Sequence, residues 1–269
     1  MSGFSADWLS LREPADHRAR DAALAGRLAA YLGDRDSVRL IDLGCGTGSN
    51  LRALASRLPM PQDWLLIDYD ARLLEAAGRQ IEAWRTASGV NGLTVGFEQA
   101  DLESRIEDVL DKPCDAVTAS ALFDLVSESW LDRFAAALAA RRCAFYTVLI
   151  YDGVMRWSPA HPADGAIAEA FNAHQRSDKG FGTAAGPDAG PYLAARLQNE
   201  GYQVFTATSP WRLTADDMPL ILATAQGIAD AARETGQVAQ ALIDSWLAAR
   251  SQLQNAEVGH IDILALPQI

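Results

Sequence analysis

The sequence predicts an α/β fold in which a mostly parallel β-sheet carries helices on both faces. From about residue 38 onward, short β-rich runs alternate with longer runs of helical periodicity, the pattern of repeated strand–helix–strand units. The strand runs are continuously apolar, as expected for strands that are buried on both faces. No internal repeat or low-complexity linker divides the 269 residues, so a single domain is the simplest organisation.

Seven runs have the composition of strands, and helical segments lie between most of them. The strands are predicted at residues 38–43, 64–67, 93–97, 116–119, 144–151, 203–208 and 260–266. Helical periodicity is clearest near residues 51–58, 73–84, 130–138, 192–198 and 238–253, and each helix places one apolar stripe on the sheet. Ser127 is the predicted N-cap of the third of these helices, and a capping box from Thr214 to Asp217 opens one more.

The chain divides into four predicted parts within the single domain. Residues 1–33 form a helical cap, in which one helix over 16–32 begins after Pro14 and ends at Gly33. Residues 34–151 form the ligand-binding core, and residues 191–269 complete the sheet with their helices. Between them, residues 152–190 are predicted to be an insertion on the substrate side, because aromatic, histidine and glycine residues break the rhythm of strands and helices.

The charge balance excludes some classes of partner. Lys and Arg number 23 against 35 Asp and Glu, and the net charge of -12 would repel nucleic acid or an anionic membrane surface. No run approaches the roughly 20 apolar residues that span a bilayer, so a cytoplasmic protein without membrane attachment is expected. Cys45, Cys114 and Cys143 form no CxxC pair and lie near no histidine in the sequence, so neither a metal site nor a disulfide framework is predicted.

The most specific motif is a glycine loop that follows the first strand. The run from Leu40 to Asn50 carries a buried strand into Gly44, Gly46 and Gly48 and then into a helix. Glycines allow a tight turn and let a ligand approach the backbone where a Cβ would block it. The spacing is G-x-G-x-G, whereas the dinucleotide fingerprint is G-x-G-x-x-G, so a nicotinamide-dependent oxidoreductase is disfavoured.

This motif resembles the first motif of class I S-adenosylmethionine-dependent methyltransferases, an acidic residue followed by x-G-x-G-x-G. Asp42, Gly44, Gly46 and Gly48 match it, with Cys45 inside the loop. The resemblance is close over residues 38–151. It implies S-adenosyl-L-methionine as the cofactor, methyl transfer as the activity, and a Rossmann-like sheet of seven mostly parallel strands whose last strand is antiparallel.

Two further strand ends carry acidic residues. Asp68 follows the last glycine of the loop by 20 residues and ends the second strand, where a carboxylate can accept hydrogen bonds from both ribose hydroxyls. Tyr69 follows it and is also predicted to bind cofactor. By resemblance to the family, Asp101 accepts from the adenine amino group and Leu102 packs on the ring. Taken singly, either aspartate is also a candidate helix N-cap.

The fourth strand resembles the family's fourth motif. The main chain near Ser120 would face the methionine part of the cofactor, and Asp124 stands where many members have histidine. Three roles are open for Asp124: it acts on the acceptor, binds the cofactor ammonium, or caps the following helix. The N/D-P-P-Y motif of enzymes that methylate base or amide nitrogens is absent from the sequence, which disfavours those acceptors.

Candidate residues for the acceptor side come from the segment 171–182. His174 and Lys179 are predicted to be catalytic, although surface roles are the alternative for both. This segment and the N-terminal helix around Trp8, Arg12 and Asp16 are expected to close over the cofactor methyl group and form a pocket for a small polar acceptor. A non-catalytic protein that binds S-adenosylmethionine is the alternative function, and the sequence predicts no oligomeric state.

Overall fold

The computed structural model describes residues 4–268, and in that range eight strands form one sheet. In chain order they are β1 (Val38–Leu43), β2 (Gln62–Asp68), β3 (Leu93–Gln99), β4 (Ala116–Ser120), β5 (Ala144–Ser158), β6 (Tyr202–Thr208), β7 (Trp211–Thr214) and β8 (Asn255–Pro267). Their order across the sheet is β3-β2-β1-β4-β5-β8-β6, and the short β7 pairs with β8.

Ten α-helices within the same range surround this sheet. They are α1 (Ala6–Ala19), α2 (Ala22–Leu32), α3 (Ser49–Leu54), α4 (Ala71–Ser88), α5 (Leu102–Leu110), α6 (Glu128–Arg141), α7 (Asp164–Gln175), α8 (Ala189–Asn199), α9 (Met218–Thr235) and α10 (Gln240–Ala249). Among the described residues, none of these helices combines the length and the apolar character that a membrane span requires.

The direction of the strands confirms the predicted fold class. β1 pairs in parallel with β2 and β4, and the parallel pairing continues outward to β3 and β5. β8 is antiparallel to β5 and to β6, as predicted for the last strand. The order reverses between β1 and β4, and ligands of open parallel sheets bind at the carboxyl ends of the strands beside such a reversal.

Two apolar layers hold the helices on the sheet. On one face, Phe123 packs edge-on against Trp130 and Phe134, with ring centroids 5.7 and 4.9 Å apart. The other layer includes the fully buried Trp64 and Trp246 and extends to α9 and α10. Burial at about 25 cal/mol per Å² of apolar surface makes these layers the main stabilising term of the fold.

The N-terminal cap differs from the prediction of one helix over 16–32. It contains two helices, α1 and α2, and Pro14 lies inside α1 rather than before its start. Ser5 caps α1 early, and Asp21 starts α2 by accepting a hydrogen bond from the Leu24 N–H at 2.8 Å. These two N-cap residues set where α1 and α2 begin. Residues 1–3 of the predicted cap and residue 269 lie outside the described residues.

The predicted insertion over 152–190 is also corrected. β5 continues through Ser158 because it pairs with β8 as far as Asn255, and residues 164–175 form α7. Ile167 and Ala170 are the buried face of α7, which packs on α9. The sequence prediction also missed α5 and β7, and of these α5 has a clear apolar stripe after its N-cap Asp101. The proposed single domain stays a prediction.

Candidate functional site

The glycine loop joins β1 to α3 at the reversal of strand order. Gly44, Gly46 and Gly48 have φ angles of 60°, 54° and 79°, which side-chain-bearing residues adopt at a cost. The Cys45 N–H donates to the Ile67 carbonyl at 2.9 Å, so the loop is anchored to the end of β2. The sequence therefore needs glycines here for the path of the chain as well as for ligand approach.

Asp68 lies beside this loop at the end of β2. Its Oδ2 accepts from the Gly46 N–H at 2.9 Å, and its Oδ1 accepts from the Asp70 N–H at 3.0 Å. Burial raises the pKa of the Asp68 carboxyl, and the N–H groups of Asp70 and Gly46 oppose that rise. A carboxylate has about four acceptor sites, so Asp68 keeps acceptor capacity for the hydroxyl groups of a ligand.

Asp42 is buried beneath the loop rather than exposed in the cleft. Its Oδ1 accepts from Asn50 Nδ2 at 2.5 Å and from Thr118 Oγ1 at 2.7 Å, while its Oδ2 has no partner among the described residues. Burial raises the pKa of Asp42 to about 6, and the hydrogen bonds from Asn50 and Thr118 oppose that rise. Asp42 therefore ties β1 to α3 and β4, which fixes the shape of the loop.

The predicted adenine-side residues lie at the ends of β2 and β3. Tyr69 is 41% exposed, and Leu102 is buried at the start of α5. Asp101 caps α5 by accepting from the Glu103 N–H at 3.0 Å. The Ala100 N–H donates to the Asp68 carbonyl at 3.0 Å, so the ends of the two strands adjoin. The structure thus brings the predicted adenine and ribose residues to one edge.

Helix α1 covers the glycine loop. A Cβ built on Gly46 would lie 3.0 Å from Leu9 Cδ1 of α1. Glu13 binds Arg52 of α3 through two hydrogen bonds of 2.5 and 2.9 Å, and His17 Nε2 lies 3.0 Å from Ser49 Oγ. The N-terminal helix is therefore fastened to the element that the glycine loop leads into.

Arg20, just after α1, connects the cap to the fourth strand. Its guanidinium donates to Asn50 Oδ1 at 2.6 Å and to Ser120 Oγ at 3.4 Å. Ser120 ends β4, where the sequence predicts contact with the cofactor, and Ala121 follows it with a positive φ of 51°. Such a strained conformation at the cleft edge is typical of functional sites.

Asp124 lies in the turn after β4 and is 7% exposed. Its Oδ1 is buried and has no hydrogen-bond partner among residues 4–268. Burial raises the pKa of Asp124 to about 6, while main-chain N–H groups and the charge of Arg12 lower it. Ser127 rather than Asp124 caps the following helix, since its Oγ accepts from the Trp130 N–H at 3.2 Å. One of the three open roles of Asp124 is thereby removed.

His174 and Lys179 form a separate group with Glu234 of α9. His174 Nε2 lies 3.0 Å from Glu234 Oε2, and Lys179 Nζ lies 3.2 Å from His174 Nδ1. Burial lowers the pKa of Lys179, and the Glu234 charge opposes that change. None of the hydrogen bonds or ion pairs within residues 4–268 connects these three side chains to the glycine loop. Their catalytic role stays a prediction.

The segment 171–182 also borders a cavity. The cavity has a volume of about 720 Å³, and Arg176, Phe181 and Gly182 line it together with the start of α6. The Trp130 Nε1–H donates to the Leu102 carbonyl at 2.8 Å beside it. The segment therefore faces α6 and the start of α5, whereas α1 covers the glycine loop at Gly46.

Comparisons with known proteins identify part of this fold. The family described as a methyltransferase domain matches residues 40–141, which contain the glycine loop, Asp68, Asp101 and Asp124. Residues 40–141 match a methyltransferase domain. No curated protein sequence matches the chain.

Solved structures resemble the methyltransferase domain and its surroundings in fold. YcgJ from Bacillus subtilis is 14% identical with a TM-score of 0.51, over 93% of this chain and 100% of the other. The cyclopropane synthase MmaA2 from Mycobacterium tuberculosis is 11% identical with a TM-score of 0.53, over 97% and 94%. A methyltransferase from Thiobacillus denitrificans in complex with S-adenosylhomocysteine is 18% identical with a TM-score of 0.47, over 97% and 98%.

The methyltransferase domain confirms three predictions made from the sequence. They are the family of S-adenosylmethionine-dependent methyltransferases, the α/β fold class and S-adenosylmethionine as the cofactor. The roles of individual residues and the identity of the acceptor stay predictions. The cytoplasmic location stays a prediction as well.

Proposed function

We propose that this methyltransferase moves a methyl group from S-adenosylmethionine to a small-molecule acceptor. The observation that carries the proposal is the cradle formed by the glycine loop and Asp68, joined by the hydrogen bond from the Gly46 N–H to Asp68 Oδ2 at 2.9 Å. This cradle lies where the strand order reverses, which is the ligand-binding position of such sheets.

The residues at this edge fit the parts of the cofactor. The loop from Gly44 to Gly48, with Cys45 and the underlying Asp42, is assigned to the methionine end, together with the main chain at Ser120. Asp68 is assigned to the ribose hydroxyls, and its acceptor sites and burial suit a charged, bidentate contact. Tyr69, Asp101 and Leu102 are assigned to adenine. A side chain on Gly46 would occupy the space between the loop and α1, so glycine keeps it open.

When bound, S-adenosylmethionine supplies a sulfonium methyl group, which forms a bond to the acceptor's lone pair while the carbon–sulfur electron pair returns to sulfur. The chain has to align the acceptor, exclude water and receive a proton where the nucleophile carries one. Helix α1 excludes water by covering the loop. Asp124 is assigned to the acceptor side, because its unpartnered carboxylate oxygen lies beyond β4 in a buried environment.

A small acceptor fits the covered site better than a polymer. Leu9 and the bond from Glu13 to Arg52 hold α1 over the loop, which leaves little access for a large substrate. The net charge of -12 disfavours nucleic acid. The cavity of about 720 Å³ beside α6 is a second candidate place for the acceptor, favoured by its size.

Calorimetry with S-adenosylmethionine, S-adenosylhomocysteine and NADH tests the proposal first. We expect the first two to bind and NADH to show no binding. A screen with methyl-labelled S-adenosylmethionine and small metabolites then tests transfer. Tight binding of NADH instead would favour an oxidoreductase, and cofactor binding without transfer to any acceptor class would favour the non-catalytic alternative.

A further inference from the structure

A group of buried side chains beyond β4 has no part in the cofactor cradle. Tyr151 of β5 and His260 of β8 are cross-strand partners, with ring centroids 6.4 Å apart. Trp211 of β7 lies on the other side of His260, at a centroid distance of 5.3 Å. Asp124 adjoins this group, because the turn that carries it packs on β5, the strand of Tyr151, and because the charge of Arg12 acts on its carboxyl. Three strands and the turn after β4 thus surround one place.

Helix α1 closes this place with a second set of contacts. The Trp211 Nε1–H donates to Asp16 Oδ1 at 2.9 Å. Arg12 binds Asp16 through two hydrogen bonds of 2.9 and 3.2 Å, and its guanidinium lies 4.9 Å from the centroid of the Trp211 ring. The positive charge of Arg12 is therefore already neutralised by Asp16 and stacked on an aromatic face.

Two buried polar atoms in this group lack partners within residues 4–268. They are Asp124 Oδ1 and His260 Nδ1, and their residues are only 7% and 5% exposed. Burial lowers the pKa of His260 to about 3, and the Arg12 charge contributes in the same direction, so the ring is neutral at physiological pH. No ion pair among the described residues includes Asp124. An unpartnered buried polar atom destabilises the fold, and a charged one does so more strongly, so an occupant that pairs with both is favoured.

The charges select the chemistry of that occupant. Arg12 and Asp16 cancel each other, which leaves the Asp124 carboxylate as the net charge of the group. An anionic occupant would be repelled, and a neutral hydroxyl would satisfy the hydrogen bond but not the charge. A protonated amine satisfies both. The rings of Tyr151 and His260 offer flat apolar surface for its carbon skeleton.

We propose that this place, defined by Arg12, Asp124, Tyr151, Trp211 and His260, binds the methyl acceptor, and that the acceptor is a small amine whose ammonium group donates to Asp124 Oδ1. This ammonium group is the binding contact, and the methyl group goes to another atom of the molecule, since a protonated nitrogen has no lone pair. His260 Nδ1 contacts a second polar group of the same molecule. This inference rests on the proposed function. It places the acceptor beneath α1 rather than in the cavity beside α6.

Calorimetry on the Asp124→Asn variant first separates acceptor binding from cofactor binding. We expect its dissociation constants for S-adenosylmethionine and S-adenosylhomocysteine to stay within about threefold of the wild type. Weaker binding of S-adenosylmethionine alone would mean that Asp124 pairs with the sulfonium, which S-adenosylhomocysteine lacks. Weaker binding of both would mean that it pairs with the cofactor ammonium. Either result overturns the proposal.

Titration of the S-adenosylhomocysteine complex with butylammonium, butanol and butanoate then tests the charge preference. We expect butylammonium to bind most tightly, with at least a tenfold loss in Asp124→Asn and a smaller loss in His260→Ala. Asp115→Asn is the matched control, since Asp115 lies at the opposite end of β4, where it pairs with Arg35 and Arg39. It should bind butylammonium as the wild type does.

Three results of this titration overturn the proposal: no binding of butylammonium, no preference over butanoate, or no effect of Asp124→Asn. If the wild type failed to bind S-adenosylhomocysteine at all, the proposed function itself would fail. Cofactor binding without ammonium binding would overturn only the acceptor assignment. Melting temperatures of all variants show whether each is folded.

Discussion

The cofactor edge, formed by the glycine loop, Asp68 and Asp101, and the acceptor place proposed beyond β4 are built in different ways, although helix α1 covers both. The cofactor edge comes from consecutive pieces of one chain segment, each a strand end followed by a turn and a helix. The acceptor place combines residues from α1, the turn after β4, β5, β7 and β8, which span positions 12 to 260. The cofactor edge can therefore be recognised as a sequence motif, whereas the residues of the acceptor place come together only in the folded sheet.

The largest expected effect is a loss of cofactor affinity, caused by a change at the cofactor edge alone. Gly46→Val should weaken S-adenosylmethionine binding by at least about a hundredfold, or roughly 3 kcal/mol, because the side chain fills the space below α1 and φ is positive there. Calorimetry measures the loss. Gly89→Val is the control, since Gly89 also has positive φ but would meet no atom within 4 Å. Equal affinity of both variants would contradict the loop assignment.

The free energy of unfolding tests the burial of Asp124 on the acceptor side. The pKa of Asp124 rises from 3.8 in the unfolded chain to about 6 in the fold, which corresponds to about 3 kcal/mol. Because the folded state holds its proton more tightly, wild-type stability falls as pH rises from 3.8 to about 6. Asp124→Asn should therefore be more stable than the wild type at pH 7.5, by up to about 3 kcal/mol. Urea unfolding measures this gain, which should shrink toward pH 4.

Asp68→Ala removes a charged acceptor from the cofactor edge. It should weaken binding of S-adenosylmethionine by about 1.5 to 3 kcal/mol, or roughly one to two decades in dissociation constant. Asp63→Ala is the control, because Asp63 lies toward the other end of β2 and is exposed. Unchanged affinity in a folded Asp68→Ala protein would remove this residue from the site.

Trp211→Phe tests the fastening of α1 without changing the cradle. The lost hydrogen bond from the Trp211 Nε1–H to Asp16 should cost about 1 kcal/mol of unfolding free energy. The affinity for S-adenosylhomocysteine should remain within about threefold, since neither residue lies in the loop. A matching loss of cofactor affinity would show that the two places are not separable.

The smallest expected effect concerns His174 and Lys179. Alanine at either position should leave the dissociation constant of S-adenosylmethionine within about twofold, because the pair bonds to Glu234 rather than to the loop. The catalytic role predicted for them requires a lower turnover in both variants. If both variants keep the wild-type turnover, the two residues have surface roles only. Glu234→Ala is the control, because it removes the contact to His174 and keeps both side chains.

Sequence and structure agree where the signal is local. The strand into Gly44, the acidic ends of β2 and β3, and the N-cap Ser127 are all short-range patterns, and the structure forms each of them. The extension of β5 to Ser158 depends instead on pairing with a strand about a hundred residues later. Its mixed composition therefore suggested an insertion.

Of the proposed acceptor place, the sequence predicts Arg12 and Asp124 but misses Tyr151 and His260, for the same reason. His260 is recognisable in the sequence only as the first residue of a predicted strand, and Tyr151 only as the last residue of another. Their contact, and that of Trp211 with Asp16 at a separation of 195 positions, follows from sheet order. The signal in the sequence is chemical: a tyrosine ends one predicted strand and a histidine begins another.

The fastening of α1 over the glycine loop sets an order of events in time. A cofactor that binds over the loop lies beneath Leu9, and its exit requires the contacts of Glu13 with Arg52 to open. Because α1 closes the proposed acceptor place as well, helix opening then becomes a step in every catalytic cycle, and it precedes the release of both products. Pre-steady-state kinetics would show this as a burst of product equal to the enzyme concentration, followed by slower steady turnover.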